Sequence, residues 1–468
     1  MSNKGLVREL TTNKLSKKGQ RSIKEGAKKS KVLVVVHQFE QFGGIINHTE
    51  ELISGLKELG HQVGFAFLKP STQKPRKVNV SNIDELLSNE YEIGSGTGLP
   101  VHQKKGWVSD YYSFLNEESV NEFVDMTDEY DLIIWESIFG FKNKKSENNT
   151  TWLPMIENVK SKQVVIIHDG NFQKLYPWVY KFKKYISGLA CVHDAAYKST
   201  EFVDIPRAKI LNPMNLDDVV PTTNFKKRKR SLFSLQTFKN MKRVGDLVAC
   251  IPHLDDCEVN VAGDGIERCY MTSKDKCKKK YICSLERDPD ASDEMIGNKI
   301  WDNATEAGMN YLGFISGVKR DQILGDTKFF IDSTWSKTYG EHFNRTFIEA
   351  MIQGVVPIAV NLGISSNESG VGSLFTPNEN YLMLKYDYTP KQYADKINEY
   401  LDIDEEEYQR IANNNFNLLK KFDRKKIAQD FINLSEGIEC GEEYDTPTYV
   451  EPRLVEKSSV MFSKWFGV

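Results

Sequence analysis

Two carboxylates eight residues apart have the spacing in this 468-residue chain that best suits ligand binding. Glu341 lies in a predicted loop, and Glu349 lies on a short helix predicted over residues 346–353. A helix N-terminus offers free N–H groups and a positive dipole end, which suit a diphosphate. The loop carboxylate can accept hydrogen bonds from sugar hydroxyls, and the helical one can accept them from a ribose diol. Two surface glutamates on an ordinary helix would have the same spacing, so the surroundings must decide between the two interpretations.

A second candidate site follows the apolar run 163–167, which is typical of a buried parallel strand. His168 and Asp169 come directly after this strand. Open α/β sheets bind ligands at the carboxyl ends of their strands, which favours a role for both residues in a cleft. The alternative for His168 is a hydrogen-bonded histidine of the core.

The elements that must position these residues alternate between strand and helix. Residues 31–36 form a β-branched run, Gly43 and Gly44 follow in a turn, and apolar residues then recur at helical spacing up to Leu59. The next strand is predicted over residues 61–68, so the chain begins as a doubly wound α/β domain. A second series of strands begins at residue 231 and includes the Gly-Asp-Gly turn that starts at Gly263. The sequence therefore predicts two similar α/β halves.

Composition excludes several classes of protein. Hydrophobic residues make up 40% and charged residues 27% of the chain, as in globular proteins. No apolar run approaches the roughly 20 residues of a membrane-spanning helix, and the N-terminus lacks the apolar core of a secretory signal. We therefore expect a cytoplasmic protein with no transmembrane segment. The seven Cys residues include no Cys-x-x-Cys pair, which indicates reduced thiols and gives no basis for a metal site.

Charge is distributed unevenly along the chain. Residues 1–31 carry ten Lys or Arg and two Asp or Glu, a balance of +8, which leaves −11 for the rest of a chain whose net charge is −3. A basic arm on an acidic body suggests a polyanionic partner. A solvated, disordered leader would have the same composition, and both interpretations stay open.

The order of these motifs resembles that of retaining glycosyltransferases with the GT-B fold, notably glycosyltransferase family 4. The segment from Glu341 to Glu349, continued by Ala350 and Met351, is similar to the Glu-x7-Glu signature of that family. The glycine turn after the first strand, the strand ending in His-Asp and the Gly-Asp-Gly turn occur in the same order, and the likeness spans about residues 32–435. It implies two Rossmann-like domains that face a central cleft.

The resemblance also implies roles for single residues. Glu341 would contact the donor sugar, and Glu349 would hold the nucleotide ribose. The remaining implied donor-binding residues are Gly43, Gly44, Lys242, Arg243 and Gly263, while His168 and Asp169 would lie near the reacting carbon. Thr237 stands where the family usually has an arginine, and Lys239 or Arg243 is the expected substitute. Asn344 replaces a common glycine of the loop.

The implied organisation has five parts. They are a mobile basic arm over residues 1–31, an acceptor-side Rossmann-like domain over 32–215, a linker over 216–230, a nucleotide-sugar-binding Rossmann-like domain over 231–435, and a segment over 436–468 that packs back on the first domain.

The co-substrate is expected to be a nucleotide sugar, with UDP as the nucleotide. Neither a metal nor another cofactor is predicted for this reaction. Lysine side chains, glycine N–H groups and a helix N-terminus can stabilise the departing diphosphate instead.

The chemical class of the acceptor is predicted from basic and aromatic segments of the sequence. Lys104 and Trp107 are the candidate acceptor-binding residues, because a lysine beside an aromatic ring can bind a phosphate and stack on a base. The layout has a looser resemblance to bacteriophage DNA α-glucosyltransferases, which implies a hydroxymethylated pyrimidine in double-stranded DNA as acceptor. The alternatives are cell-envelope or other glycan acceptors and, from another class, a non-catalytic protein that binds nucleotide sugars or nucleic acid. Within the same fold, an epimerase or a phosphorylase also fits.

Overall fold

The computed structural model describes the strands, most helices and their short connections. The described residues are 29–36, 44–67, 101–102, 117–136, 153–168, 179, 182–217, 219, 225–239, 242–265, 268, 271–272, 298–315, 317–334, 345–361 and 374–442. Residues 1–28 of the basic arm, Gly43, Lys104, Trp107, Asp169 and Glu341 lie outside these ranges.

The first domain is built on a seven-stranded sheet in which every pair of neighbours is parallel. Its strands are β1 (Lys31–Val36), β2 (Gln62–Phe67), β3 (Val101–His102), β4 (Leu132–Glu136), β5 (Lys162–Ile167), β6 (Gly188–Cys191) and β7 (Arg207–Lys209). The spatial order is β3-β2-β1-β4-β5-β6-β7. Its helices are α1 (Gly44–Glu58), α2 (Glu117–Thr127), α3 (Leu153–Asn158) and α4 (Asp194–Ser199).

The second domain repeats this plan with a six-stranded parallel sheet. Its strands are β8 (Lys229–Leu235), β9 (Glu258–Ala262), β10 (Met309–Gly313), β11 (Thr327–Asp332), β12 (Val356–Asn361) and β13 (Leu382–Lys385). They lie in the order β10-β9-β8-β11-β12-β13. Its helices are α5 (Val244–Cys250), α6 (Asn298–Glu306), α7 (Gly317–Asp326), α8 (Arg345–Ile352), α9 (Pro390–Leu401) and α10 (Glu405–Leu419). The final described helix is α11 (Arg424–Ser435).

Both sheets reverse their strand order beside their first strand. In the first sheet the reversal falls between β1 and β4, and in the second it falls between β8 and β11. Crossover connections leave in opposite directions from such a point, which opens a crevice at the carboxyl ends of the two strands. The residues that follow these four strands are therefore the first to inspect for function.

The two domains share a continuous apolar core. One cluster of buried side chains runs from Val34 of β1 through Phe347 of α8 to Phe431 of α11. Helix α11 packs against α1, β5 and β6, so the chain returns to the first sheet within residues 424–435. The sequence analysis assigned that return to residues 436–468, of which the structure describes only 436–442.

The two passages of the chain between the domains lie side by side. Met214 N donates to Phe422 O at 2.8 Å, and Arg424 N donates to Met214 O at 3.2 Å. The Arg424 guanidinium also contacts Asp217 Oδ2 at 3.0 Å and Glu51 Oε2 at 3.2 Å. None of the described helices is long and apolar enough to cross a membrane.

Candidate functional site

Three polar side chains meet at the carboxyl edge of the first sheet. Glu136 is the last residue of β4, His168 follows the end of β5, and His48 lies just over one turn into α1. Strand β4 pairs with both β1 and β5, and Glu136 itself is the partner of Val36 in β1. We call His48, Glu136 and His168 the His–Glu–His cluster. It lies at the reversal point of the sheet, where ligands are expected.

The carboxylate of Glu136 lies between the two imidazole rings. His168 Nε2 forms a short hydrogen bond with Glu136 Oε1, and His48 Nδ1 lies 3.0 Å from Glu136 Oε2. The two rings meet edge to face, with centroids 5.0 Å apart. The Glu136 side chain is 0% exposed, whereas that of His168 is 15% exposed. Of the three groups, His168 is therefore the one best placed to meet a ligand.

The protonation of the cluster follows from its burial and its charges. Burial alone would raise the pKa of the Glu136 carboxyl, but the adjacent His48 and His168 lower it to about 2. Burial lowers the pKa of His48, and although Glu136 opposes this shift, the positive charge of Arg345 supports it. The cluster thus contains an ionised carboxylate at neutral pH.

The main chain of His168 is held by a further histidine. His193 Nδ1 accepts a hydrogen bond from Ala196 N at 3.1 Å, so the ring proton of the neutral tautomer lies on Nε2. His193 Nε2 then donates to His168 O at 3.1 Å. His193 caps the N-terminus of α4 through the same Nδ1 contact, so the helix and the end of β5 are joined by one buried ring.

In the second domain, Glu349 lies on α8 and is nearly buried. Arg345 Nε donates to Glu349 Oε1 at 3.0 Å, and Arg320 Nη1 of α7 lies 2.8 Å from the same oxygen. Among the described residues both contacts use Oε1, so Oε2 is the oxygen left for a ligand. The observed α8, Arg345–Ile352, lies one residue earlier than predicted, and Gly354 follows at φ +66°.

Arg345 connects the two domains. Its Nη2 donates to Glu51 Oε1 of α1 at 3.3 Å, while its Nε holds Glu349. Its Nη1 is buried and has no hydrogen-bond partner among the described residues. The positive charge of Arg345 also lowers the pKa of His48. One guanidinium therefore links α8, the helix of Glu349, to the His–Glu–His cluster.

The predicted glycine turn follows β9, beside the reversal point of the second sheet. Gly263 has φ +113°, and a Cβ there would lie 1.9 Å from Gln236 O, so only glycine fits. Gln236 Nε2 in turn donates to Asp332 Oδ1 at 3.0 Å, which joins the ends of β8 and β11. Ser333 Oγ donates to Lys242 O at 2.8 Å, so the main chain of Lys242 is fixed at the same edge.

Arg243 differs from the expectation of a donor contact. Its side chain is 2% exposed, and its Nε lies 2.7 Å from Asp246 Oδ2 on α5. Its main chain adopts the left-handed conformation with φ 51° at the start of that helix. In this conformation the guanidinium has almost no surface to offer a ligand, which leaves Lys242 as the better placed cation. Gly44 is the first residue of α1.

Sequence reasoning missed four residues of this region. They are His48, Glu136, Arg320 and Arg345. Glu136 is a polar residue at the end of the apolar strand β4, and a polar residue at the end of an apolar strand is the signal that pointed to His168. The other three lie on helices, where a single charged residue carries no comparable signal.

The His–Glu–His cluster is also the one group of potential metal ligands among the described residues. Two imidazoles and a carboxylate are donors that zinc accepts. However, the two carboxylate oxygens each face a different ring, and His168 contacts Glu136 directly. This pairing is the geometry of hydrogen bonding rather than of three ligands directed at one point. The expectation of metal-independent chemistry stays a prediction.

The sequence matches no protein-family model and no curated protein. Solved structures are similar to it throughout both domains. HepE from Anabaena, in complex with UDP and glucose, has a TM-score of 0.59 at 14% identity, with 87% of this chain and 100% of that chain covered. A glycosyltransferase from Rickettsia africae gives 0.58 at 14% identity, with 87% and 98% covered. The pneumococcal O-GlcNAc transferase GtfA, in complex with UDP and GlcNAc, gives 0.58 at 11% identity, with 87% and 99% covered.

At these identities the similarity establishes the fold. The chain has the GT-B fold of these glycosyltransferases, with two Rossmann-like α/β domains, and this part of the sequence prediction is confirmed. The narrower resemblance to glycosyltransferase family 4 and to bacteriophage DNA glucosyltransferases stays a prediction.

Proposed function

We propose that this protein is a retaining glycosyltransferase that moves a sugar from a nucleotide-sugar donor to an acceptor hydroxyl. The observation that carries the proposal is the convergence of two sites from different domains. Glu349 on α8 and the His–Glu–His cluster of the first sheet are joined through Arg345. In a GT-B fold, a donor held by the second domain would meet an acceptor held by the first at this junction.

The charges near the junction suit the breaking of a sugar–diphosphate bond. The departing diphosphate gains negative charge, which preorganised cations and N–H groups stabilise. The N-termini of α1 and α8 supply such N–H groups, and Lys242 is the proposed cation. Glu349 Oε2 would accept hydrogen bonds from the ribose diol, while the two arginines hold the carboxylate in place through Oε1.

The sugar side of the site relies on residues outside the described ranges. Glu341 would contact the donor sugar, and Asp169 would lie beside His168 near the reacting carbon. Gly43 and Gly44 would allow the main chain to approach the diphosphate. Retention of the anomeric configuration is proposed from the resemblance of the segment Glu341–Glu349 to the signature of retaining glycosyltransferases. UDP is the proposed nucleotide, because HepE and GtfA were both crystallised with UDP.

The proposed acceptor is a hydroxymethylated pyrimidine in DNA. The support is the basic arm over residues 1–31, with Lys104 beside Trp107. Glycan acceptors are the alternative, and two of the similar structures favour it. TarM from S. aureus was crystallised with α-GlcNAc-glycerol, and GtfA is named an O-GlcNAc transferase. An acceptor panel that contains hydroxymethylated duplex DNA and glycan substrates separates the two.

The donor is tested by binding and turnover. In a panel of UDP-, GDP- and ADP-sugars, we expect a UDP-sugar to raise the melting temperature and to be slowly hydrolysed without acceptor. Glu349→Ala should weaken nucleotide binding by about 1.5–3 kcal/mol, the scale of charge-assisted hydrogen bonds. Glu407→Ala, which removes an exposed carboxylate that pairs with Arg410 on α10, is the matched control and should leave binding unchanged.

The outcomes distinguish the candidate functions. Absence of both stabilisation and turnover with every donor would contradict the proposal. Stabilisation without hydrolysis or transfer would favour the non-catalytic binding protein instead.

A further inference from the structure

Two of the three guanidinium nitrogens of Arg345 contact carboxylates. Nε donates to Glu349 Oε1 at 3.0 Å, and Nη2 donates to Glu51 Oε1 at 3.3 Å. The third nitrogen, Nη1, carries two further N–H donors, is buried and has no hydrogen-bond partner among the described residues. An unpaired buried donor on a charged group costs free energy, so such a nitrogen is expected to bind a water, an ion or a ligand.

The position of Arg345 narrows this choice. It is the first residue of α8, whose N-terminus is proposed to face the donor diphosphate. Its Nε holds the carboxylate of Glu349, the proposed partner of the ribose diol. In a nucleotide sugar the phosphates are attached directly to the ribose, so a guanidinium bound to Glu349 is close to the expected path of the diphosphate.

The arginine that the sequence offered for the diphosphate is bound elsewhere in the second domain. Arg243 is 2% exposed, and its Nε lies 2.7 Å from Asp246 Oδ2. Arg345 is 14% exposed, so it presents more surface to a ligand. A planar guanidinium also matches the geometry of phosphate oxygens, to which it can donate two parallel hydrogen bonds.

Each carboxylate that contacts Arg345 is shared with a second arginine. Arg320 Nη1 lies 2.8 Å from Glu349 Oε1, and Arg424 Nη1 lies 3.2 Å from Glu51 Oε2. Neither carboxylate therefore directs its whole charge at Arg345. An anion at Nη1 would meet a guanidinium whose positive charge is only partly neutralised.

Glu50 is a further carboxyl group on which the charge of Arg345 acts. Burial raises the pKa of Glu50 to about 7, so at neutral pH it is protonated in a large fraction of the molecules. A protonated carboxyl does not repel an anion and can donate a hydrogen bond to it. Glu50 therefore opposes an anion at Arg345 less than a fully ionised carboxylate would.

We propose that Arg345 Nη1 binds a phosphate group of the nucleotide-sugar donor, so that one guanidinium contacts the phosphate, the carboxylate of Glu349 and the first domain. The inference rests on the proposed function for the identity of the donor. The same contact stabilises the negative charge that the diphosphate gains when the sugar departs.

The test compares the affinities of uridine and UDP, which differ only in the two phosphates. In Arg345→Gln both ligands lose the support of Glu349, but UDP alone loses a phosphate contact. Calorimetry should show that the Kd of UDP rises about 10–100-fold more than the Kd of uridine. Arg320→Gln is the matched control, because Arg320 holds the same oxygen of Glu349. It should weaken both ligands equally, and an equal loss in Arg345→Gln as well would overturn the proposal.

Two further variants separate phosphate binding from the contact between the domains. Glu51→Gln removes the interdomain partner and keeps Arg345, so the ratio of the uridine and UDP affinities should stay at the wild-type value. A fall as large as in Arg345→Gln would assign the effect to the domain contact instead. If Arg345→Gln does not unfold cooperatively in urea, Arg345→Lys takes its place. One ammonium group cannot contact Glu349, Glu51 and a phosphate together, so the ratio should fall about three- to tenfold, and an unchanged ratio would refute the contact.

Inorganic pyrophosphate tests the contact without a nucleoside. It should raise the melting temperature of the wild type, and Arg345→Gln should lose this stabilisation. Stabilisation by pyrophosphate without a preference for UDP over uridine would assign the site to another phosphate, and neither effect would leave no phosphate site; both results overturn the inference. If the protein binds UDP but transfers no sugar, the proposed function fails, whereas the ratio of affinities still decides the role of Arg345.

Discussion

Glu50 is a carboxyl group that is poorly solvated in the folded protein. Burial raises its pKa to about 7, and although Arg345 opposes this shift, the negative charge of Glu51 adds to it. Its Oε1 is buried with no hydrogen-bond partner among the described residues. Because the ordinary value is 4.5, the folded state binds the proton more tightly than the unfolded chain does. Between about pH 4.5 and 7 the unfolded chain loses this proton while the folded protein keeps it, so the free energy of unfolding falls as the pH rises through this range.

Glu50→Gln should remove this dependence on pH. At pH 5 the variant and the wild type should unfold at similar urea concentrations. At pH 8 the variant should be more stable by about 1–2 kcal/mol, a range that allows for the remaining solvent contact of the carboxyl. Glu157→Gln, at an exposed position of the same domain, serves as the control. A difference between Glu50→Gln and the wild type that is equal at both pH values would show that the effect is not electrostatic.

Single site residues could be predicted from the sequence only where a reactive or charged side chain stands at a recognisable place in a predicted strand or helix. His168 was predicted because it directly follows an apolar strand, and Glu349 was predicted because it belongs to a motif on a short helix. Glu136 was not predicted, because its contact with His168 depends on the alignment of β4 with β5. Parallel neighbouring strands are joined by long crossover connections, and the sequence of such a connection does not reveal the register of the two strands. The same limit applies to Arg345, whose partner Glu51 is 294 residues away.

At the scale of elements, α1 and α11 pack unusually closely. A Cβ at Gly55 of α1 would lie 2.3 Å from Arg424 O and 3.1 Å from Ala428 Cβ. The backbone of one helix thus approaches the other directly, and this contact positions the ion pairs of Glu51. The predicted helix after the first glycine turn is confirmed, but its partner is an element from the far end of the chain. Helical periodicity identifies an apolar face, not the element that covers it.

Gly55→Ala should destabilise the protein by about 1–3 kcal/mol, since the added methyl group would force two backbones apart. The matched control is Gly325→Ala in α7, where a Cβ would meet nothing within 4 Å. That substitution should be neutral or stabilising by up to about 1 kcal/mol, because alanine favours the helix. Urea denaturation of both variants makes the comparison. Equal stability of the two variants would mean that the helices can separate without cost.

At the scale of the whole molecule, one ion pair joins the helix of Glu349 to the first domain. Arg345 and Glu51 are 14% and 17% exposed, so the pair is screened less than a surface pair. Glu349 and Glu51 share this guanidinium, which means that a change at the proposed ribose site reaches α1 through one side chain.

A double-mutant cycle with Glu51→Gln and Arg345→Gln should give a coupling energy of about 1–3 kcal/mol in urea denaturation. The reference cycle uses Glu407 and Arg410, an exposed pair within α10, for which about 0.3–0.5 kcal/mol is expected. A coupling between Glu51 and Arg345 no larger than the reference would show that the pair does not hold the domains together.

The return of α11 to the first sheet determines how this gene can be divided. A fragment that stops at the interdomain linker would leave the faces of α1, β5 and β6 bare, because the helix that shields them is encoded some 200 residues downstream. A fragment that begins after the linker would contain α11 but would lack α1, β5 and β6, the elements against which α11 packs. Co-expression of the two pieces, rather than either one alone, is what the topology recommends for studying each half.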